Sequence, residues 1–177
     1  MRLALSVVAL MLASPAFAAG SGDKDPPEPT ATTTECKAAQ VWDKHKKACV
    51  DAREGRLDND TLYRAAREIA WAGRPADALA VLDAMTEGES DRVLTYRGFA
   101  HRKAGDWQGG RAFYAAALHR NPDNLLARSY LGQGLLERGD FEGAFAQWEE
   151  IRARGGSGTW AETALFAALE TGTMSEY

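Results

Sequence analysis

Ala70-Trp71-Ala72-Gly73-Arg74-Pro75-Ala76-Asp77-Ala78-Leu79, Arg102-Lys103-Ala104-Gly105-Asp106-Trp107-Gln108-Gly109-Gly110-Arg111 and Glu137-Arg138-Gly139-Asp140-Phe141-Glu142-Gly143-Ala144-Phe145 are three copies of one pattern. Each closes an amphipathic stretch on a glycine, turns through an aspartate or arginine, and starts a second amphipathic stretch at an aromatic residue or proline. The glycines suit the positive φ that follows a helix, and Asp106 and Asp140 can accept from the free N–H groups of the helix that follows. Each copy therefore reads as a helical hairpin, repeated at spacings of 32 and 34 residues. Composition agrees: alanine occurs 33 times while isoleucine and valine together occur eight times, so material for a sheet is scarce and an all-α chain is expected.

The second stretch of the third copy shows why hairpins must stack. Phe141, Ala144, Phe145, Trp148 and Ile151 fall on one helical face, with Glu142, Gln147, Glu149 and Glu150 around the rest. One hairpin cannot bury such stripes alone, whereas three in series share a continuous core. Thr159-Trp160-Ala161-Glu162 has the form of a capping box, and Leu165, Phe166 and Leu169 follow at helical spacing, which predicts a last helix covering the third hairpin.

These residues resemble the tetratricopeptide repeat over about residues 59 to 158. The family's small residues at helix contacts are matched by Ala66, Gly98 and Gly132 in the first helices and by Ala78, Gly110 and Ala144 in the second. Its large packing residues are matched by Leu62, Leu94, Leu131, Ile69, Leu135, Leu82, Tyr114 and Trp148, and its terminal proline by Pro122. The first copy departs at Met85 and lacks the proline; the third ends in Gly155-Gly156-Ser157-Gly158. The resemblance implies a right-handed α-solenoid of three hairpins plus a closing helix over residues 59–172.

Ahead of this domain lie three other segments. Residues 1–18 have a basic start, an apolar run and an Ala-x-Ala end, which reads as a bacterial secretory signal cleaved after Ala18. Its apolar run is too short to span a bilayer of about 30 Å, so no transmembrane segment is expected in the mature chain. Residues 19–34 hold half the prolines and no large apolar side chain, which predicts a disordered tether. Within residues 35–50, Cys36 and Cys49 are the only cysteines; in an exported chain they predict a disulfide. His45 would give a metal only a third ligand, so no metal site is expected. The compartment expected is the periplasm or the exterior.

In stacks of this family the first helices line a concave groove. Its positions here include Tyr63, Arg67, Ala70 and Trp71; Arg92, Thr95, Phe99, Arg102 and Lys103; and Ser129, Gln133, Leu136 and Glu137. Cations beside aromatic rings suit an extended peptide with acidic or carboxyl groups. Tyr63, Arg67, Trp71, Arg92, Phe99, Arg102, Lys103 and Gln133 are accordingly the candidate binding residues. The competing expectation is that Trp71 and Phe99 pack on neighbouring helices or on the N-terminal module while the cations are solvated. The asparagine and lysine pattern of the chaperone-binding members is missing, so that ligand is not implied.

A net charge of −4 and an isoelectric point near 5.4 argue against a sequence-independent nucleic-acid binder. No nucleophile elbow, zinc helix, phosphate loop or dinucleotide fingerprint occurs, and His45, His101 and His119 lie far apart in sequence. Neither an enzyme nor a cofactor is expected. The reading is a non-catalytic scaffold for another envelope protein or peptide. The alternative is a structural component that contacts an anionic polymer or membrane surface through Lys37, Lys44, Lys46 and Lys47.

Overall fold

The computed structural model describes residues 25–54 and 56–172. The predicted signal segment and residues 19–24 lie outside them. In chain order the elements are α1 (Ala31–Thr34), β1 (Gln40–Asp43), β2 (Ala48–Asp51), α2 (Asn59–Trp71), α3 (Pro75–Leu82), α4 (Asp91–Lys103), α5 (Trp107–Arg120), α6 (Leu125–Leu136), α7 (Phe141–Ala153) and α8 (Trp160–Thr171). The described residues are mostly helical, with one small two-stranded sheet.

Local chemistry sets the helix limits. Asp58, Ser90, Asp106, Asn124, Asp140 and Thr159 each cap a helix by accepting from a backbone N–H three positions on. At the other end, Gly73, Gly105 and Gly139 take φ of 74°, 87° and 78°. Arg74 N–H then donates to Ile69 O, Asp106 N–H to His101 O and Asp140 N–H to Leu135 O, at 2.9–3.1 Å, the same glycine-dependent closure three times over. Turns this short make α2–α3, α4–α5 and α6–α7 antiparallel pairs. The first helices also meet in series, α2 on α4, α4 on α6 and α6 on α8.

Small residues let the pairs approach closely. A Cβ on Gly98 would lie 2.6 Å from ring atoms of Tyr114, and one on Gly110 would lie 2.9 Å from Gly98 O, so α4 and α5 cross where neither has a side chain. The capping box at α8 forms only in half. Thr159 Oγ1 accepts from Glu162 N–H, but the Glu162 carboxylate accepts instead from Gly158 N–H and from Trp148 Nε1–H at 2.8 Å.

Two expectations need correction. The tether expected over residues 19–34 is docked at its end: Ala31–Thr34 forms α1, capped by Thr30 and held by Glu68 of α2 through Thr30 and Thr33. The α7 stripe is also incompletely buried. Ala144 and Ile151 are inside, while Phe141 and Phe145 are exposed.

The cysteine segment is a hairpin rather than a plain loop. Val41 pairs with Val50 and Trp42 with Cys49, and Cys49 bonds to Cys36 across 5.5 Å between Cα atoms. Arg74 ties it to the helices by donating to Cys36 O at 3.2 Å and to Ala38 O at 2.5 Å. Two four-residue strands are marginal alone, and the cross-link constrains their unfolded form by about 3 kcal/mol in the chain-entropy account. Reduction should therefore raise amide exchange across residues 36–51 while helical circular dichroism is retained. Unchanged exchange there would show that docking alone holds the hairpin.

Candidate functional site

The faces of α2, α4 and α6 that were expected to line a groove meet around a cluster of rings. Tyr63 stands edge-on to Tyr96 at 5.6 Å between centroids, Tyr96 edge-on to Tyr130 at 5.8 Å, and Phe99 lies 4.7 Å from Tyr130. Trp71 stacks on Phe99 at 6.0 Å and donates from Nε1 to Tyr130 Oη at 3.3 Å; Trp160 of α8 packs on Trp71 at 5.5 Å. Phe99 and Gln133 are wholly buried, so they are core and unavailable to a ligand in this conformation, and Tyr63 is buried at 2% exposure at the edge of the cluster. Gln133 Nε2 donates to Ser129 Oγ at 3.3 Å within α6.

Sequence reasoning did not select Tyr96, Tyr130 and Trp160. A signal was present: Tyr96 and Tyr130 each stand six positions after their capping residue, Ser90 or Asn124.

The cations divide by environment. Arg67 is buried; its Nε donates to Tyr96 Oη at 3.1 Å and its Nη2 to the backbone carbonyl of Asp25 at 2.6 Å. Arg102 is buried and donates from Nη1 to Glu137 Oε1 at 2.6 Å. Arg92 is half-buried over the Tyr63 ring and pairs with Glu87 and with Asp60 at 2.7 Å. Burial works against the Arg92 charge, yet the hydrogen bonds it donates to these two carboxylates outweigh it and raise its pKa. Lys103 is exposed at the end of α4, with Nζ 5.7 Å from the Phe99 centroid. Local desolvation, then the neighbouring Arg102 charge, pull its pKa below the ordinary lysine range.

Open surface remains at both ends of the ring cluster. At the N-terminal ends of α4, α6 and α8 a cleft of about 470 Å³ is lined by Tyr63, Arg92, Thr95, Asn124 and Thr159 among others. Its polar wall is braced: Asn121 and Asn124 donate to Asp91 Oδ2 at 2.7 and 3.0 Å, and Asn124 also donates to Thr95 Oγ1 at 3.0 Å. At the C-terminal ends of α2 and α4 a second cleft, of about 690 Å³, lies between Trp71, Lys103 and the chain's own Pro26, Pro27 and Pro29. Of the eight candidates, Arg92 and the edge of Tyr63 line the first cleft and Trp71 and Lys103 the second, while Arg67 reaches the chain's own N-terminal segment.

Among the described residues, no group of three or more His, Cys, Asp or Glu side chains is placed to hold a metal ion, and no helix is long and apolar enough to cross a membrane. His101 Nδ1 lies 2.9 Å from the Asp106 carboxylate that caps α5, which gives this pair a structural task. No protein-family model matches the chain, and no curated protein matches it in sequence.

Proposed function

We propose that this chain is a non-catalytic scaffold of the bacterial cell envelope, a right-handed solenoid of three tetratricopeptide-like hairpins and a closing helix that binds an extended protein segment along its first helices. The observation that carries this reading is the seat of residues 25–29. This proline-bearing stretch faces Trp71 and Lys103 across the second cleft, and a buried guanidinium, Arg67, donates to its backbone carbonyl at Asp25. A face that holds its own proline-bearing segment by a backbone contact has the chemistry to hold another. The Cys36–Cys49 bond fits an oxidising compartment and so supports export.

Arg92 and Lys103 flank the two clefts and lie over the outer faces of Tyr63 and Phe99, so replacing them removes no ring of the cluster, and the variant is compared with the wild type only after its stability has been matched. The test is affinity capture from envelope extracts on the chain and on Arg92→Ala/Lys103→Ala, with bound proteins identified by mass spectrometry. A partner kept by the wild type and lost by the equally stable variant is expected; identical capture refutes the groove. The alternative, a structural component contacting an anionic polymer or membrane surface, draws on the hairpin tip. Lys44, His45, Lys46 and Lys47 are exposed there, while Asp43 turns inward to accept from the Lys46 and His45 N–H groups, which hold its carboxyl below the usual range. Binding of that kind collapses as salt rises from low to physiological strength, whereas docking on rings persists.

A further inference from the structure

We propose that the face formed by Phe145, Trp148 and Phe166 at the α7–α8 end is a docking site for a cationic amphipathic helix of a partner protein. It lies on a different part of the chain from the groove proposed above and does not depend on it.

Phe141, Phe145 and Phe166 are the large hydrophobic side chains left exposed among the described residues, at 57%, 47% and 41%, and all three belong to α7 and α8. They are not scattered. Phe145 lies 5.3 Å from Trp148, and Trp148 stacks on Phe166 at 5.4 Å, so the rings form one continuous strip from α7 to α8. Exposed rings in contact with one another are the usual mark of an interaction surface.

Helix register identifies what the strip lacks. Eight positions after the capping residue, each first helix carries a small residue: Ala66 in α2, Gly98 in α4, Gly132 in α6 and Ala167 in α8. The first three are buried; Gly98 lies directly beneath Tyr114 of α5, and Gly132 directly beneath Leu165 of α8. Ala167 is exposed, beside Phe166. At this register position α8 thus has a side that in α4 and α6 takes a neighbouring helix, and none of the described elements covers it.

Charge selects the occupant. Three or four positions from Phe145 stand Glu142 and Glu149, and from Phe166 stand Glu162 and Glu170; no cation occupies any of these flanking positions. Arg152 has its guanidinium over Trp148, 4.7 Å from the ring centroid. An apolar strip edged by carboxylates fits a helix with leucine-like side chains on one face and lysine or arginine beside them.

The probe is an 18-residue amphipathic peptide of leucine and lysine, titrated calorimetrically into the purified chain. A leucine and glutamate peptide of the same pattern and a scrambled leucine and lysine peptide serve as comparisons. The expected result is saturable binding of the first peptide alone, weakened about tenfold or more in Phe145→Ser/Phe166→Ser. Glu149→Lys/Glu170→Lys alters only exposed carboxylates and should also weaken it, which keeps the test valid if the serine variant is poorly folded. Equal binding by wild type and both variants, or equal binding of the scrambled peptide, overturns the proposal. So does a wild-type dimer in sedimentation that Phe145→Ser/Phe166→Ser abolishes, because a second copy is then the occupant. Arg92→Ala/Lys103→Ala should bind the peptide as the wild type does, so this site and the groove fail or succeed separately.

Discussion

Phe99→Ala is expected to destabilise the chain by about 3–5 kcal/mol, lowering its melting temperature by roughly 10 °C or more for a protein of this size. The ring is wholly buried and touches Trp71, Tyr96 and Tyr130 at centroid distances of 6.0, 5.8 and 4.7 Å, so truncation removes contacts to α2, α4 and α6 at once. The surrounding rings are rigid and cannot collapse into the space, which adds a cavity cost to the lost transfer energy. Phe145→Ala provides the contrast: this ring is 47% exposed and its loss should cost under about 1 kcal/mol. Urea titration of both variants measures the difference. Equal midpoints would mean that Phe99 is not the centre of the core. The same reasoning makes Phe99→Ala and Arg102→Ala poor probes of binding, because each would damage the fold before it tested a ligand.

Much of the secondary structure was legible because it rests on local chemistry. A glycine in the left-handed region and an oxygen-bearing cap a few residues later are written in adjacent positions, and Gly73, Gly105 and Gly139 with Asp106 and Asp140 marked the turns correctly. The disulfide was legible for a similar reason, as two cysteines allow one intrachain pairing. Burial on the first-helix faces was not. Helical spacing puts Tyr63, Arg67, Phe99 and Arg102 on the groove side, but it does not tell how closely neighbouring helices approach there. Gly132 lets α6 approach Leu165 of α8 closely, and rings of Tyr96, Tyr130 and Trp160 fill the interior between the first helices. Strip formation by Phe145 and Phe166 was hidden for the opposite reason: a stripe of apolar residues implies a partner surface, and periodicity alone does not reveal that the chain leaves part of it uncovered. α1 was missed because its four residues depend on Glu68, 38 positions from Thr30.

That dependence yields the other large effect. A four-residue helix cannot nucleate itself in water. α1 exists because the Glu68 carboxylate, itself 7% exposed, accepts from Thr30 N–H at 2.6 Å, Thr30 Oγ1 at 2.7 Å, Thr33 N–H at 3.1 Å and Thr33 Oγ1 at 2.5 Å. Glu68→Ala removes every one of these contacts together and is expected to cost about 2–3 kcal/mol, the scale of hydrogen bonds to a charged acceptor after water competes for the released donors. The loss should be confined to the N-terminal segment: amide exchange rises at Thr33 and across residues 30–35, while α4 to α8 keep their protection. Glu68→Gln retains the shape but turns an amide N–H₂ toward donors, so it should recover little. If exchange at residues 30–35 is unchanged in Glu68→Ala, the segment is held by something other than this carboxylate. Release also bears on binding, because Pro26, Pro27 and Pro29 line the cleft beside Trp71 and Lys103. A ligand that competes with residues 25–29 must first displace them, and its apparent affinity is reduced by the fraction of molecules in which the cleft is open. Under the groove reading, Glu68→Ala therefore binds such a ligand more tightly than the wild type even though it is the less stable protein, an opposition of stability and affinity that simple damage to the fold does not produce.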